Sequence, residues 1–316
     1  MTNETENPDI KLRLGTRRSP LAMAQAVEAR TRLCQAHGWR EDQVELVPVL
    51  ASGDKIKDRP LADIGGKALW TRELDAWLAS GEIDAAVHSL KDVETVRSPQ
   101  LTIAAMLPRA DVRDVLLGAA SIRAIPRAAK VGTSSPRRAA QMLNLRPDVE
   151  IVGFRGNVAT RMAKLAAGEA DVTLLAAAGL QRLGETGVGT PLGIDDWPPA
   201  ASQGCIGLEC RSADARTRNL LEALDDADTR AQVSAERELL LALGGTCHSP
   251  VAAHASGGAD RIVLRVVLFS PDGAVKVEGS AIITAGNTGA AARLAQELLG
   301  RAPANIRTVF SGQADA

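Results

Sequence analysis

The chain has 316 residues, 45% of them apolar and 24% charged, which excludes a disordered protein and allows two or three domains with cores of their own. A formal net charge of −1 argues against a nucleic-acid binder, which shows a basic excess and stacking aromatics. With three Phe, four Trp and no Tyr, the cores must be built from Leu, Val, Ile and Ala.

Residues 11–15 (KLRLG) read as a strand, and Ser19-Pro20 opens a helix to about His37, with Ser as N-cap and Pro in the first turn. Residues 44–50 read as a strand. Residues 51–67 form a long polar loop ending in Gly65-Gly66-Lys67, the kind of loop that serves as a lid or a binding loop. A helix is expected at 68–80, with Leu69, Trp70, Leu74, Trp77 and Leu78 on one face. A buried-type strand at 84–88 leads into Ser89-Leu90-Lys91-Asp92. The pattern then restarts: strand 129–132, helix 136–145, strand 149–154, helix 157–167, strand 171–176, and a helical stretch 177–183. Alternation at this spacing predicts parallel sheets with crossover helices. Residues 190–204 read as a connector, followed by helices at 214–225 and 229–243. Strands at 251–255, 261–269 and 275–283, with a turn at Ser270-Pro271-Asp272-Gly273, and a helix at 289–300 make a small α+β unit. One echo links the halves: LGTRRSPLAMAQ at 14–25 and VGTSSPRRAAQ at 131–141. Two similar α/β units would leave a ligand cleft between them.

Arg17 and Arg18 precede one helix start, and Arg137 and Arg138 lie inside another. A helix N-terminus is already positive, so arginines there suggest that an anion supplies the missing charge. Arg155 and Arg161 flank a third strand-to-helix turn, and Arg182 follows the 171–176 strand. All fall at the carboxyl ends of strands, where ligands bind in such sheets. Arginine pairs bidentately with carboxylates. No Walker signature surrounds Lys67, which favours a polycarboxylate over a nucleotide.

Asp92 follows a buried strand; among arginines it is expected to stay ionised and to stabilise a cation forming on a substrate. A helix cap or a partner for Lys91 is the structural alternative. His88 reads as a core or hydrogen-bonding residue, not a base. Of the four cysteines, Cys34, Cys205, Cys210 and Cys247, none forms a C-x-x-C pair, so neither a disulfide scaffold nor a zinc site is expected. Cys205 and Cys210 read as core. Cys247 lies in a Gly-Gly-Thr-Cys-His-Ser-Pro loop, where glycines can expose the thiol and His248 can raise its thiolate fraction; an inert loop cysteine is the other reading. Residues 1–10 show no apolar leader and no run reaches membrane-spanning length, so the cytoplasm is the expected compartment.

Over about residues 12–309 the sequence resembles the porphobilinogen deaminase (hydroxymethylbilane synthase) family. The blocks that carry the resemblance are Gly15-Thr16-Arg17-Arg18-Ser19-Pro20-Leu21-Ala22, Ile64-Gly65-Gly66-Lys67, Ala86-Val87-His88-Ser89-Leu90-Lys91-Asp92-Val93 and Val131-Gly132-Thr133-Ser134-Ser135. Arg155-Gly156-Asn157-Val158, Ala178-Gly179-Leu180-Gln181-Arg182-Leu183 and Gln203-Gly204-Cys205-Ile206-Gly207-Leu208-Glu209 continue the series, and the Cys247 loop ends it. The resemblance implies an α/β protein of two similar domains like type II periplasmic binding proteins, at 10–106 with 203–224 and at 110–199, plus a small α+β domain at 228–311. It implies a dipyrromethane cofactor in thioether linkage to Cys247. On that primer four porphobilinogen molecules condense with loss of ammonia, and water frees linear hydroxymethylbilane. By the same resemblance Asp92 is the catalytic carboxylate. Lys91, Thr133, Ser135, Arg137, Arg138 and Arg161 hold cofactor carboxylates. Arg17, Ser19, Arg155 and Arg182 hold substrate or the growing chain, and Lys67 belongs to the lid. Apart from the resemblance, nothing in the sequence demands an oligomer, so a monomer is expected, with neither nucleic acid nor membrane as partner and no metal.

The sequence departs from the family pattern at Ser52 (commonly Arg), Trp70 (Phe), Glu94 (Pro) and Pro136 (Leu). The main alternative is a two-lobed anion- or solute-binding module without catalysis, which would have no use for the third unit or its thiol; a phosphate-ester enzyme using the same arginines is another.

Overall fold

A computed structural model describes residues 9–49, 71–246, 248–284, 287 and 289–311. The expected lid at 51–67 with Ser52 and Lys67, the start of the helix expected at 68, Trp70 and Cys247 lie outside the described residues.

The chain opens with β1 (Leu12–Arg17), α1 (Pro20–His37), β2 (Val44–Val49), α2 (Arg72–Ser80) and β3 (Ala85–Ser89). A 3-10 turn, Leu90–Asp92, then leads to β4 (Leu101–Met106). Next come β5 (Asp114–Leu117), β6 (Lys130–Gly132), α3 (Pro136–Leu145), β7 (Glu150–Val152) and α4 (Val158–Ala166). β8 (Val172–Ala176), α5 (Ala177–Arg182) and β9 (Thr190–Pro191) follow them. The last part holds β10 (Ile206–Arg211), α6 (Ala215–Glu222), α7 (Ala227–Leu243), β11 (Val251–Gly258), β12 (Arg261–Phe269), β13 (Lys276–Thr284), α8 (Ala290–Arg301) and α9 (Ala304–Ser311).

Among the described residues these strands form sheets ordered β2-β1-β3-β10-β4, β7-β6-β8-β5-β9 and β11-β12-β13. The expectation of purely parallel sheets is corrected. β1 runs parallel to β2 and β3, and β6 parallel to β7 and β8, but β10 and β5 are antiparallel to both of their neighbours. The physical reason is the crossover. β5 is reached directly from the first sheet and β10 from the second, so neither arrives through the helix that would bring a strand in parallel. The two sheets share one plan: second, first and third strands of the unit, then the crossing strand, then an edge strand. The third sheet is an antiparallel meander packed on α7 and α8.

The sequence echo marks the equivalent point of each unit. Ser19 accepts from the Ala22 N–H at the start of α1, and Ser135 from the Arg138 N–H at the start of α3, each followed by Pro in the first turn. The glycine of each Gly-Thr pair is forced by packing. A Cβ on Gly15 would stand 2.3 Å from the Ile83 side chain, and one on Gly132 2.6 Å from the Phe154 ring. Separate apolar clusters lie under each sheet, around Leu14, Leu33 and Leu208, around Val131, Met142 and Trp197, and around Leu239, Leu264 and Leu294. β4, β5, β10 and α9 were not foreseen from the sequence.

Candidate active site between the two sheets

The described candidate site residues lie at the carboxyl ends of β1, β3, β6, β7 and β8 or in the turns and helical turns that follow them. Arg17 closes β1, while Lys91 and Asp92 lie in the 3-10 turn after β3. Thr133 and Ser135 follow β6, Arg155 follows β7, and Arg182 ends the short helix after β8.

Charge gathers there. Lys91, half-buried, is pushed down from 10.5 to about 8: burial is the main cause, and Arg138 and Arg137 repel it while Asp92 and Asp114 oppose the shift. Arg161 falls to about 10 by burial and by repulsion from Arg138 and Arg155, with Asp92 again opposing. Asp92 from the first sheet is therefore in electrostatic reach of a cation from the second, so the two sheets contribute to one charged site.

Asp114, at the start of β5 and fully buried, is the anchor that sequence reading missed. Its Oδ1 accepts from Arg138 Nη2 (2.7 Å) and Gln203 Nε2 (2.9 Å); its Oδ2 accepts from Arg137 Nη2 (2.8 Å), Arg138 Nε (3.2 Å) and Trp197 Nε1 (2.9 Å). Burial pushes its carboxyl up, but the two arginines outweigh that and hold it well below the usual range. The anion called for by arginines at the start of α3 is thus, in the first place, a carboxylate of the protein. The faint signal was an aspartate heading the apolar run DVLL. Gln203 extends the link: its amide also donates to Val112 O (2.7 Å), while its Oε1 lies 3.5 Å from Lys91 Nζ. Lys91, Gln203, Asp114 and the arginine pair make one chain from the first sheet to the second.

The remaining candidates are placed as follows. Thr133 Oγ1 accepts from the Ser135 N–H at 3.1 Å, so both hydroxyls shape the turn into α3. Ser19 caps α1. Arg161 Nε donates to Gly156 O at 2.9 Å. Arg182 crosses the cleft, donating to Glu28 of α1 (3.1 Å) and to Gly204 O (3.2 Å). A cavity of about 30 Å³ beside it is lined by Gln25, Ser89, Lys91, Arg182, Ser202 and Gly204. His88 is buried and hydrogen-bonded to Glu209 at 3.1 Å, as the sequence suggested, and Cys205 and Cys210 are buried core residues. Among the described residues no cluster could hold a metal ion, and no helix is long and apolar enough to cross a membrane.

The family profile described as "Porphobilinogen deaminase, dipyromethane cofactor binding domain" matches residues 12–219, and that described as "Porphobilinogen deaminase, C-terminal domain" matches 231–301. The chain belongs to the porphobilinogen deaminase family. It is 56% identical to the porphobilinogen deaminase of Sphingopyxis alaskensis over 98% of this chain and 99% of that one. It is 46% identical to that of Paracoccus denitrificans over 95% and 97%. With the chloroplastic porphobilinogen deaminase of Oryza sativa it shares 46% over 85% and 77%. Among solved structures, an ancestral cationic amino acid solute-binding protein matches 67% of this chain and 86% of its own, at 15% identity and a TM-score of 0.41. An arginine-specific periplasmic binding protein of Salmonella typhimurium matches 67% and 90%, at 11% identity and a TM-score of 0.38.

Porphobilinogen deaminases take porphobilinogen as substrate and carry dipyrromethane, and the residues present fit that group on a physical ground. Burial holds Lys91 and Arg161 below their ordinary pKa values, and repulsion from neighbouring arginines adds to it while Asp92 opposes. A pyrrole pair bearing acetates and propionates supplies the opposite charge.

Proposed function

We propose that this chain condenses four porphobilinogen molecules head to tail into hydroxymethylbilane, with Asp92 as the catalytic carboxylate and Cys247 as the thioether anchor of the dipyrromethane. The observation that carries this reading is the crowding of cations from both sheets around Asp92. When bound, the dipyrromethane supplies the nucleophilic α-carbon from which the chain grows. Lys91, Arg161, Thr133, Ser135, Arg137 and Arg138 surround its carboxylates; Arg137 and Arg138 act at longer range, since Asp114 already holds them. Arg17, Ser19, Arg155 and Arg182 hold incoming substrate, and Lys67 serves the lid. When the C–N bond of the protonated aminomethyl group breaks and ammonia leaves, positive charge is left on the pyrrole. Asp92 would stabilise that charge on the substrate pyrrole until it is lost with the proton released on C–C bond formation. The units are assigned to 10–106 with 203–224, to 110–199 and to 228–311. The chain acts as a cytoplasmic monomer on small molecules, without nucleic acid or membrane.

Intact-mass measurement and steady-state assays test this together. Asp92→Ala should retain the two-pyrrole adduct and lose roughly 10²–10³ in kcat, the scale of removing a preorganised charge. Cys247→Ala should have the mass of the bare chain. Near-normal turnover by Asp92→Ala, or an adduct on Cys247→Ala, overturns the assignment.

A further inference from the structure

The Asp92 turn is held from behind by a helix of the third unit. On α7, Val233 and Arg237 lie four residues apart and so share a face. Val233 is fully buried in a cluster with Leu90, Val93, Met106 and Cys205, which places it against residues on both sides of Asp92. Arg237 meets the backbone that follows: Nη1 donates to Val93 O (3.2 Å), and Nη2 donates to Glu94 O (2.6 Å) and Thr95 O (3.3 Å). These carbonyls lie in the non-helical stretch just after the 3-10 turn, and the guanidinium gives them hydrogen-bond partners. The planar guanidinium spans three successive carbonyls, which a lysine ammonium cannot do with the same geometry.

The rest of the turn is pinned from other sides. Leu90 N donates to Cys205 O at 3.1 Å, and Leu90 packs where a Cβ on Gly207 would stand 2.4 Å away. Glu94 is fixed by Arg97 (2.9 Å) and Thr71 (3.1 Å). These contacts come from the first unit itself. Arg237 is the polar contact that α7 adds, and α7 runs on to Leu243, just before the Gly244-Gly245-Thr246 stretch.

We infer that Arg237 is a positioning residue for Asp92: by holding the carbonyls of residues 93–95, helix α7 sets where the carboxylate stands in the cleft. This rests on the role proposed above for Asp92. Small misplacements of a reacting group are costly, about a hundredfold for 1 Å. Arg237 spends its guanidinium on the backbone behind Asp92, so its loss should act on kcat and leave substrate binding alone.

The test uses holoenzyme, verified by intact mass, carrying Arg237→Ala or Arg237→Lys, with Asp92→Asn as control. Arg237→Ala should lose roughly tenfold to a hundredfold in kcat, with KM for porphobilinogen within twofold of the parent. Added methylguanidinium should restore part of the loss in Arg237→Ala and none in Asp92→Asn. Arg237→Lys, which keeps the charge and most of the volume, should fold and still fall clearly below the parent. The inference is overturned if either folded variant turns over at the parental rate, or if KM rises in step with any fall in kcat. It is also overturned if methylguanidinium restores nothing, the outcome of a merely structural role. Should Asp92→Asn itself turn over normally, the reading of Asp92 fails instead, whatever the Arg237 variants do.

Discussion

An ammonium beside two guanidinium groups gives up hydration without gaining a bidentate partner, and that is the position of Lys91. Folded, it titrates at about 8 against 10.5 for an ordinary lysine. Between those values the unfolded chain binds the proton and the folded chain does not, so the lysine's contribution to stability rises with pH across that window. Below about 8 the charged lysine costs the apo fold stability. Thermal melts of adduct-free Cys247→Ala protein, with and without Lys91→Met, should therefore diverge most below about pH 8 and converge towards about pH 10.5. A difference that stays constant across the window would contradict this electrostatic account. Lys91 shows how far single residues are legible. Its place after a buried strand can be read from His88-Ser89-Leu90-Lys91-Asp92, but its neighbours cannot, because they come from another sheet. Arg137 and Arg138 likewise stand out as helix-dipole violations. Their partner, Asp114, lies 23 and 24 positions earlier and looks like any strand-edge aspartate until the fold buries it.

Elements were legible where local chemistry decides them. Ser-Pro starts and apolar spacing gave α1 and α3 at the bounds observed, and alternation gave the meander of β11, β12 and β13. β4, β5 and β10 escaped because no alternation or helix start marks them, and they stand outside the strand–helix repeat that pointed to β3 and β8; β5 reads DVLL, four consecutive buried residues. A continuous apolar run does not declare its partner or its direction. The same ignorance of direction produced the parallel-sheet expectation, since a crossing strand differs from a crossover strand only in where it came from. α3 now has an explicit dependence on β5. Its two N-terminal arginines are buried, and Asp114 is the carboxylate they share. Asp114→Ala would leave both charges uncompensated, and breaking such a pair from one side costs about 3–5 kcal/mol. The expected outcome is a clearly lower urea midpoint, with a smaller loss for Asp114→Asn, which keeps the shape and part of the hydrogen bonding. A midpoint within experimental scatter of the parent for Asp114→Ala would mean that the arginines find other anions.

At the scale of the whole molecule, the two units touch through a pair that includes a proposed substrate arginine. Arg182, carried by the second unit, donates to Glu28 on α1 of the first and to Gly204 in the returning crossover. Its side chain is 9% exposed and that of Glu28 28%, so the pair is only partly screened. On the role proposed for Arg182, a substrate carboxylate arriving there would compete with the Glu28 carboxylate and loosen one tie between the units. Glu28→Gln removes the competing charge and keeps the volume. A partly exposed ion pair is worth about 0–1 kcal/mol, so KM for porphobilinogen should fall by up to about fivefold while kcat changes little, the signature of altered uniform binding. Arg182→Gln should act in the opposite sense, because it removes the group both carboxylates seek. If Glu28→Gln leaves KM unchanged or raises it, Arg182 does not exchange Glu28 for substrate. The pair would then be a fixed brace between the units, and substrate carboxylates would have to be met by Arg17, Ser19 and Arg155.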